Sequence, residues 1–262
     1  MLCLLSPAKS LDLDSPLTTT LHTEPRLLTQ TAALAERLRS LSAGQLRELM
    51  GISNELAELN ARRYADFTLP QPGTARPAVL TFDGDVYRGL RARERFCEAD
   101  LEQAQQTLRI LSGLYGLLRP LDRIQPYRLE MGTRLTTDQG RGLYPFWSEP
   151  VSELLAADLE ASPGEPVVVN LASTEYARVV DTARLPGRVV SPRFEDPDRS
   201  GRYRVVSFLA KRARGEMAAW LVQQRVESTD RLRDFATAGY RYHPDSSTPE
   251  VPVFRRQADP AG

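Results

Sequence analysis

The sequence predicts an α/β (mixed α+β) fold: a single domain over residues 1–256 in which helices flank a mixed β-sheet. Short apolar runs at residues 1–5 and 167–171 are typical of buried strands, and segments with apolar residues at helical spacing separate them. The strands and helices do not alternate regularly, so a purely parallel sheet is not expected. The 262 residues contain no internal repeat and no linker long enough to divide two domains.

Local signals place the elements in order along the chain. Pro7 ends the first strand, because proline cannot donate a hydrogen bond to a neighbouring strand. The Thr-Glu-Pro sequence at residues 23–25 marks the start of a helix that runs to about residue 41. Ser42 and Gln45 form a capping box for a short helix that ends at a glycine turn. The remaining predicted strands are residues 78–82, 167–171, 188–194, 203–208, 240–242 and 251–254. The remaining predicted helices are residues 54–67, 99–111, 147–159 and 209–226. Residues 112–142 are predicted to be irregular, and residues 257–262 are predicted to form a disordered tail.

The charge composition directs attention to two side chains. The 34 basic and 34 acidic residues cancel, so no field of the whole protein would attract nucleic acid or a membrane. Lys9 and Lys211 are the two lysines among the basic residues, and the others are arginine. Lysine is a compact, strongly hydrated charge whose pKa falls readily on burial, so these two positions are the first candidates for a functional site. The alternative is that codon drift left two surface lysines behind.

Several classes of protein are excluded by what the sequence lacks. Cys3 and Cys97 form neither a disulfide framework nor a metal set, and His22 and His243 have no neighbours at ligand spacing. We therefore expect no metal and no cofactor. No apolar stretch reaches the length of a membrane span and no signal segment is present, so a cytoplasmic location without a membrane partner is expected. The sequence leaves the oligomeric state open.

Residues 46–63, within a predicted unit of about residues 43–66, have the pattern of a helix-hairpin-helix, with Met50, Gly51, Ile52 and Ser53 at the hairpin. Such a hairpin exposes backbone N–H groups, and the next helix adds its positive dipole end, so a phosphate oxygen binds well there. Contacts of this kind read the DNA backbone and not the bases. Ser53 replaces the usual second glycine and is suited to cap the second helix. The alternative is an ordinary pair of helices packed through Leu49, Ile52, Leu56 and Leu59.

A second group of candidates consists of polar residues from separate segments. Lys211 and Arg214 share a helical face at i, i+3, Arg212 lies between them, and Gly215 would let another backbone approach closely. The alternative is a solvated basic helix end. Three further arrangements are also open. In the loop of residues 113–132, interleaved aromatic and arginine side chains are suited to stack a base and hold a phosphate, or Arg128 and Glu130 form a structural ion pair. The other two are a carboxylate set of Asp83, Asp85 and Glu130 and a Ser6–Lys9 nucleophile pair.

Taken together, these segments resemble the peroxide stress protein YaaA family over nearly the whole chain. The matching stretches are Ser6-Pro7-Ala8-Lys9-Ser10-Leu11-Asp12, Ser15-Pro16-Leu17-Thr18, Gly84-Asp85-Val86-Tyr87, Ser112-Gly113-Leu114-Tyr115-Gly116, Arg119-Pro120-Leu121-Asp122, Gln125-Pro126-Tyr127-Arg128-Leu129-Glu130-Met131-Gly132, Asn170-Leu171-Ala172-Ser173 with Glu175-Tyr176, and Ala210-Lys211-Arg212-Ala213-Arg214-Gly215. One departure is Asp83, an acid where the family often has lysine.

The resemblance implies a single α/β domain of unusual fold with a positively charged cleft and a helix-hairpin-helix. It implies sequence-tolerant binding of duplex and of branched or unpaired DNA, with links to DNA repair and to limiting free iron under hydrogen peroxide stress. Carried onto this chain, the resemblance assigns the hairpin to Gly51, Ile52 and Ser53. It assigns the basic cleft to Lys9, Arg128, Lys211, Arg212 and Arg214.

Two functional hypotheses follow. The first is a non-catalytic DNA-binding protein of the oxidative stress response. The second is an enzyme that acts on a nucleobase or nucleotide in the same cleft, with Lys9, Lys211 and Glu130 as the candidate catalytic residues.

Overall fold

The computed structural model of the chain describes residues 1–257, so the predicted disordered tail lies outside the described residues except for Gln257. The fold is a mixed α/β single domain, as the sequence predicts. Its helices are α1 (Leu28–Arg39), α2 (Ala43–Met50), α3 (Asn54–Asp66), α4 (Ala78–Thr81), α5 (Asp85–Leu90), α6 (Ala92–Arg95), α7 (Glu98–Thr107), α8 (Leu143–Ala161), α9 (Thr174–Ala177) and α10 (Ser207–Gln223). Short 3-10 helices cover Thr182–Arg184, Thr229–Asp234 and Pro244–Ser246.

The strands form one larger sheet, a second sheet and three two-stranded ladders. They are β1 (Leu2–Leu5), β2 (Ser10–Leu11), β3 (Arg76–Pro77), β4 (Phe82–Asp83), β5 (Leu108–Ser112), β6 (Gly116–Leu118), β7 (Arg123–Ile124), β8 (Thr136–Thr137), β9 (Gly140–Arg141), β10 (Val167–Asn170), β11 (Arg188–Val190), β12 (Arg193–Pro197), β13 (Tyr203–Arg204), β14 (Tyr240–Tyr242) and β15 (Val253–Arg256).

The larger sheet has the order β11-β10-β1-β5-β6. The first four strands are parallel and β6 is antiparallel to β5, so the predicted mixed sheet is confirmed. Every residue of β1 is buried, which agrees with the continuous apolar runs of strands that are covered on both faces. After β1 the chain continues to β5 on one side and later to β10 and β11 on the other. The strand order therefore reverses between β1 and β10.

The second sheet has the order β13-β12-β15-β14 and is held by aromatic packing. The ring of Phe194 stacks on Phe254 with 5.6 Å between centroids and meets Tyr240 edge-on at 5.5 Å. Phe235 lies edge-on to Phe254 at 5.5 Å and to Trp220 of α10 at 5.7 Å. These contacts join the second sheet to α10, which also takes part in the site described below.

Several local predictions are wrong. Residues 108–111, expected to end a helix, form the buried strand β5; residues 207 and 208, expected to end a strand, begin α10; and the short strands β6 to β9 lie within residues 112–142, expected to be irregular. In two further cases a polar contact explains the difference. Residues 78–82 were expected to be a strand, but Thr81 Oγ1 donates a hydrogen bond to the Pro77 carbonyl at 2.8 Å and closes the single helical turn α4. A short buried apolar run does not distinguish the two states. The helix expected from residue 23 begins at Leu28, because Thr23 forms a bridge to Asp122 and donates to its Oδ1 at 2.6 Å.

Helices α5 and α10 cross at backbone contact, and two glycines permit it. A Cβ atom on Gly215 would lie 1.8 Å from the Val86 carbonyl oxygen, and one on Gly89 would lie 2.1 Å from the Arg212 carbonyl oxygen. Neither position has room for any side chain. The sequence-based expectation of a close approach at Gly215 is confirmed, and the partner is α5. This crossing fixes where the basic residues of α10 can point.

Candidate functional site

A cleft of about 380 Å³ opens outside the carboxyl ends of β1 and β10, where the strand order reverses. In open α/β sheets this position is the usual place for a ligand, because the strands diverge and leave a crevice between their loops. The lining comes from five separate segments of the chain: Ser6, Pro7, Ala8, Lys9 and Ser10; Asp83, Gly84, Asp85, Val86 and Tyr87; Glu130; Ser173, Glu175 and Tyr176; and Lys211 and Arg214.

The floor of the cleft is fixed by hydrogen bonds between the ends of the two strands. Ser6 Oγ accepts from the backbone N–H of Ser173 at 2.9 Å and lies 3.3 Å from Ser173 Oγ. Tyr87 donates its hydroxyl to the Ser6 carbonyl at 3.0 Å, and burial raises the pKa of Tyr87 well above its usual range. The Ser6 hydroxyl is thus engaged with Ser173 and not with Lys9, so the predicted Ser–Lys nucleophile pair is not formed.

Glu130 lies between two cations on one wall of the cleft. Lys9 Nζ is 2.7 Å from one carboxylate oxygen, and Arg128 Nη2 is 3.4 Å from the other. Arg128 is not among the residues that line the cleft, and its carbonyl accepts from the Tyr64 hydroxyl at 2.6 Å. The structural ion pair left open for Arg128 and Glu130 is therefore what the structure shows, and Arg128 serves as a support behind Glu130.

The two cations from α10 face the cleft without a carboxylate partner. Within residues 1–257, neither Lys211 nor Arg214 forms an ion pair with an acid. Burial lowers the pKa of the Arg214 guanidinium, because the charged form is partly removed from water. An anionic ligand would supply the missing partner for these two side chains.

The predicted positively charged cleft is not shown, because this cleft has mixed charge. Its lining has three cations (Lys9, Lys211 and Arg214) and four carboxylates (Asp83, Asp85, Glu130 and Glu175). Three of these acids are already engaged: Glu130 pairs with Lys9, Glu175 accepts from the Gly132 N–H at 3.0 Å, and Asp83 pairs with Arg88 at 3.3 Å. The cleft therefore suits a ligand that carries an anionic group and also hydrogen-bond donors.

Arg212 does not join the other basic residues of its segment in the cleft. It lines a neighbouring pocket with Arg88, Arg91 and Arg93. Successive residues of an α-helix point about 100° apart, so Lys211 and Arg214 share a face while Arg212 turns away from it. Arg212 therefore lines a different pocket from Lys211, and its part in a basic cleft stays a prediction.

Helices α2 and α3 are joined by a short turn, apart from the cleft. Ser42 and Gln45 make the expected capping box, Ser53 accepts from the backbone N–H of Leu56, and Gly51 turns the chain with a φ of 61°. Among residues 1–257, nothing lies within 4 Å of a Cβ placed on Gly51, so the described part of the chain leaves this turn open. The hairpin residues Met50, Gly51, Ile52 and Ser53 do not line the cleft.

A carboxylate occupies the amino end of α3. Hydrogen bonds from the backbone N–H of Glu55 and from Ser53 lower the pKa of the Glu55 side chain. A phosphate oxygen bound at this helix end would meet that negative charge.

Comparison with known proteins identifies the family. The family model described as peroxide stress protein YaaA matches residues 1–246. The chain belongs to this family. A UPF0246 protein of Tolumonas auensis is 51% identical over 260 residues, covering 99% of both chains. One from Cellvibrio japonicus is 49% identical over 258 residues (98% of this chain, 99% of the relative), and one from Burkholderia mallei strain SAVP1 is 50% identical over 260 residues (98% and 99%).

Membership of the YaaA family supports a role in the peroxide stress response. Within residues 1–257, no helix combines the length and the apolar character needed to cross a membrane.

Ser173, Glu175 and Tyr176 line the cleft, yet the sequence singles them out only as parts of shared motifs. The Tyr176 ring lines the cleft, and burial raises the pKa of its hydroxyl above the usual range. The available signal was position: Ser6 directly follows the apolar run of residues 1–5, and Ser173 lies two residues after the predicted buried strand of residues 167–171. Recognising that the two strands are neighbours would have brought these residues together.

Proposed function

We propose that this protein acts in the peroxide stress response by binding DNA without sequence preference, with one unpaired nucleotide held in the cleft. The observation that carries the proposal is the convergence of Lys211 and Arg214, both without an acid partner in the described chain, on the crevice where the strand order reverses. Anions bind such crevices readily, and a phosphate would complete the charge balance of these two side chains.

The size and mixed charge of the cleft support one nucleotide as the bound unit. Its volume of about 380 Å³ lies in the range of small-ligand sites, roughly 300–1,000 Å³, and is too small for a duplex. The phosphate would contact Lys211 and Arg214, while Asp85 and the Ser6–Ser173 floor offer acceptors to the donors of a base. A base reaches such a pocket only when it is unstacked, so single-stranded, branched or damaged DNA would bind best.

An exposed aromatic side chain next to the cleft also supports binding of a single strand. Phe208 is 60% exposed and lies in the first turn of α10, three residues before Lys211. Residues three apart on a helix are neighbours, so this ring stands beside a lining cation. Aromatic rings flanked by cations are typical of single-strand binding surfaces, because every base has a face that can stack on them.

Replacing Phe208 by alanine is expected to weaken binding of single-stranded DNA about tenfold, since stacking of one base is lost. Binding of duplex DNA should change little, because its bases are already stacked on each other. Fluorescence anisotropy with a labelled single strand of about 12 nucleotides, a length within known site sizes, and with the matching duplex would measure both affinities. Val251→Ala is the control, because Val251 is also exposed (36%) but lies in the segment before β15. Equal single-strand affinity in the Phe208→Ala variant and the wild type would contradict the proposed stacking.

Duplex contact at the α2–α3 hairpin is the second candidate, favoured by the open left-handed turn at Gly51. If phosphate binds there, Glu55→Gln should raise duplex affinity about twofold to fivefold, because a negative charge leaves the helix end. Glu58→Gln is the matched control, because Glu58 lies three residues farther along α3. A gel-shift series at fixed salt compares the two variants. The same increase in both would indicate a general charge effect, and no increase at Glu55 would exclude the hairpin as the contact.

The links to DNA repair and to free iron would follow from this binding. Unpaired nucleotides occur at damaged and recombining DNA, which is where a protein with this cleft would act. An effect on iron would be indirect, since the candidate residues include no soft or histidine-rich set of ligands.

A further inference from the structure

A second pocket, rich in arginine, shares a wall with the cleft. It has a volume of about 450 Å³, and Asp83 and Tyr87 line both pockets. Its charged lining consists of four arginines and three acids: Arg88, Arg91, Arg93 and Arg212, with Asp12, Asp83 and Glu94. A ligand that fills the cleft could therefore extend past Asp83 and Tyr87 into this arginine pocket.

The arginines of this pocket differ in how firmly they are held. Arg93 is committed to the fold, because its Nη2 donates to the Leu80 carbonyl at 3.0 Å and lies 3.2 Å from Asp12. Arg88 is 64% exposed and 3.3 Å from Asp83. Solvent screens a pair that exposed, so it contributes little to stability and can rearrange around a ligand.

Arg91 and Arg212 are the side chains most available to a ligand. Arg91 is 48% exposed, and its nearest acid contact, to Glu94, is long at 3.8 Å. Arg212 forms no ion pair with any acid of residues 1–257. Two guanidinium groups with unused donors in one pocket match the geometry of a phosphate, which they can bind through paired hydrogen bonds.

The fold brings these two side chains together through the crossing of α5 and α10. Gly89 packs against the Arg212 carbonyl, and Arg91 follows at the end of α5. Arg91 has a φ of 50°, a left-handed conformation that residues other than glycine rarely adopt, and its N–H donates to the Tyr87 carbonyl at 2.8 Å. The arginine pocket is therefore built by the same helix contact that positions Lys211 and Arg214 on the other side.

We propose that the arginine pocket binds the phosphate adjacent to the nucleotide in the cleft, so that the two pockets together hold two consecutive units of a single strand. This inference rests on the proposed function and names its second contact. Lys211 and Arg214 would hold one phosphate and Arg91 and Arg212 the next, with Asp83 and Tyr87 between them.

The test compares a mononucleotide with a dinucleotide by isothermal titration calorimetry. Thymidine 5′-monophosphate (dTMP) fills the cleft alone, and 5′-phosphorylated dithymidylate (pTpT) fills both pockets. We expect pTpT to bind about tenfold more tightly than dTMP, since one more phosphate gains charge-assisted hydrogen bonds. An Arg91→Gln/Arg212→Gln variant should lose this gain and bind both ligands with the affinity of the wild type for dTMP. An Arg199→Gln/Arg241→Gln variant, which removes two exposed arginines elsewhere, should keep the gain.

The outcomes separate this inference from the proposed function. If dTMP binds and pTpT binds no more tightly, or if the gain survives in the Arg91→Gln/Arg212→Gln variant, the arginine pocket is not a second phosphate site and the proposed function stands. If neither ligand binds to the wild type, the cleft does not hold a nucleotide and both proposals are overturned.

Discussion

Replacing Gly215 by alanine is expected to lower the free energy of unfolding by about 3 kcal/mol or more, the upper range for overpacking a core. The added methyl group would lie 1.8 Å from the Val86 carbonyl oxygen and 2.6 Å from the Leu90 nitrogen. Both are backbone atoms of α5, so no side chain can move aside and the two helices must separate. Urea unfolding followed by circular dichroism measures the change.

Gly44→Ala is the matched control for this prediction. Gly44 also lies inside a helix, α2, but a Cβ there would meet only Ser42 Oγ, at 3.9 Å. Because alanine favours the helical state over glycine, this variant should gain up to about 1 kcal/mol. Wild-type stability of the Gly215→Ala variant would mean that α5 and α10 do not cross at backbone contact, and the shared architecture of the two pockets would then be wrong as well.

The second large effect is expected when the charges of two cleft residues are reversed. These residues are the two cations of the cleft that have no acid partner in the described chain. A Lys211→Glu/Arg214→Glu variant should bind single-stranded DNA and dTMP about a hundredfold more weakly or worse, because each hydrogen bond to a charged group contributes about 1.5–3 kcal/mol. Fluorescence anisotropy for DNA and calorimetry for dTMP measure the loss. Lys211→Arg keeps the charge and should retain most of the affinity if the role is electrostatic.

A matched control separates local contact from overall charge. An Arg199→Glu/Arg241→Glu variant changes the net charge by the same amount at exposed positions outside the cleft. It should weaken DNA binding only modestly, because it changes only the overall electrostatic attraction between protein and DNA, which salt screens. A loss as large as that of the Lys211→Glu/Arg214→Glu variant would show that the affected binding is diffuse and does not depend on the cleft.

Much of the local structure could be predicted because its causes are local. The Ser42–Gln45 capping box and the Ser53 cap depend on residues three positions apart, and both are found. The rarity of lysine directed attention to two positions whose function stays a prediction. Lys9 and Lys211 are separated by most of the chain, yet both line the same cleft.

The rest of the site depends on information that local patterns do not contain. The cleft requires β1 to lie beside β10, and a parallel pairing between distant segments leaves no mark in the spacing of nearby residues. The rotation of α10 about its own axis places Arg212 and Arg214 on different faces of the helix. The contact of Gly215 with α5 fixes this rotation. The carboxylates that give the cleft its mixed charge lie in β4, in α5, in α9 and in the loop that contains Glu130, and only the tertiary packing brings them together.

The bond between Ser6 and Ser173 has a consequence for how the protein is made. The two residues are separated by 167 positions, and β1 stays incomplete on one edge until β10 has left the ribosome. The apolar amino-terminal strand of the nascent chain must therefore remain without its later neighbour during most of synthesis, which is the condition under which chaperones bind. The floor of the cleft forms only when almost two thirds of the chain is available, so shorter translation products cannot contain it.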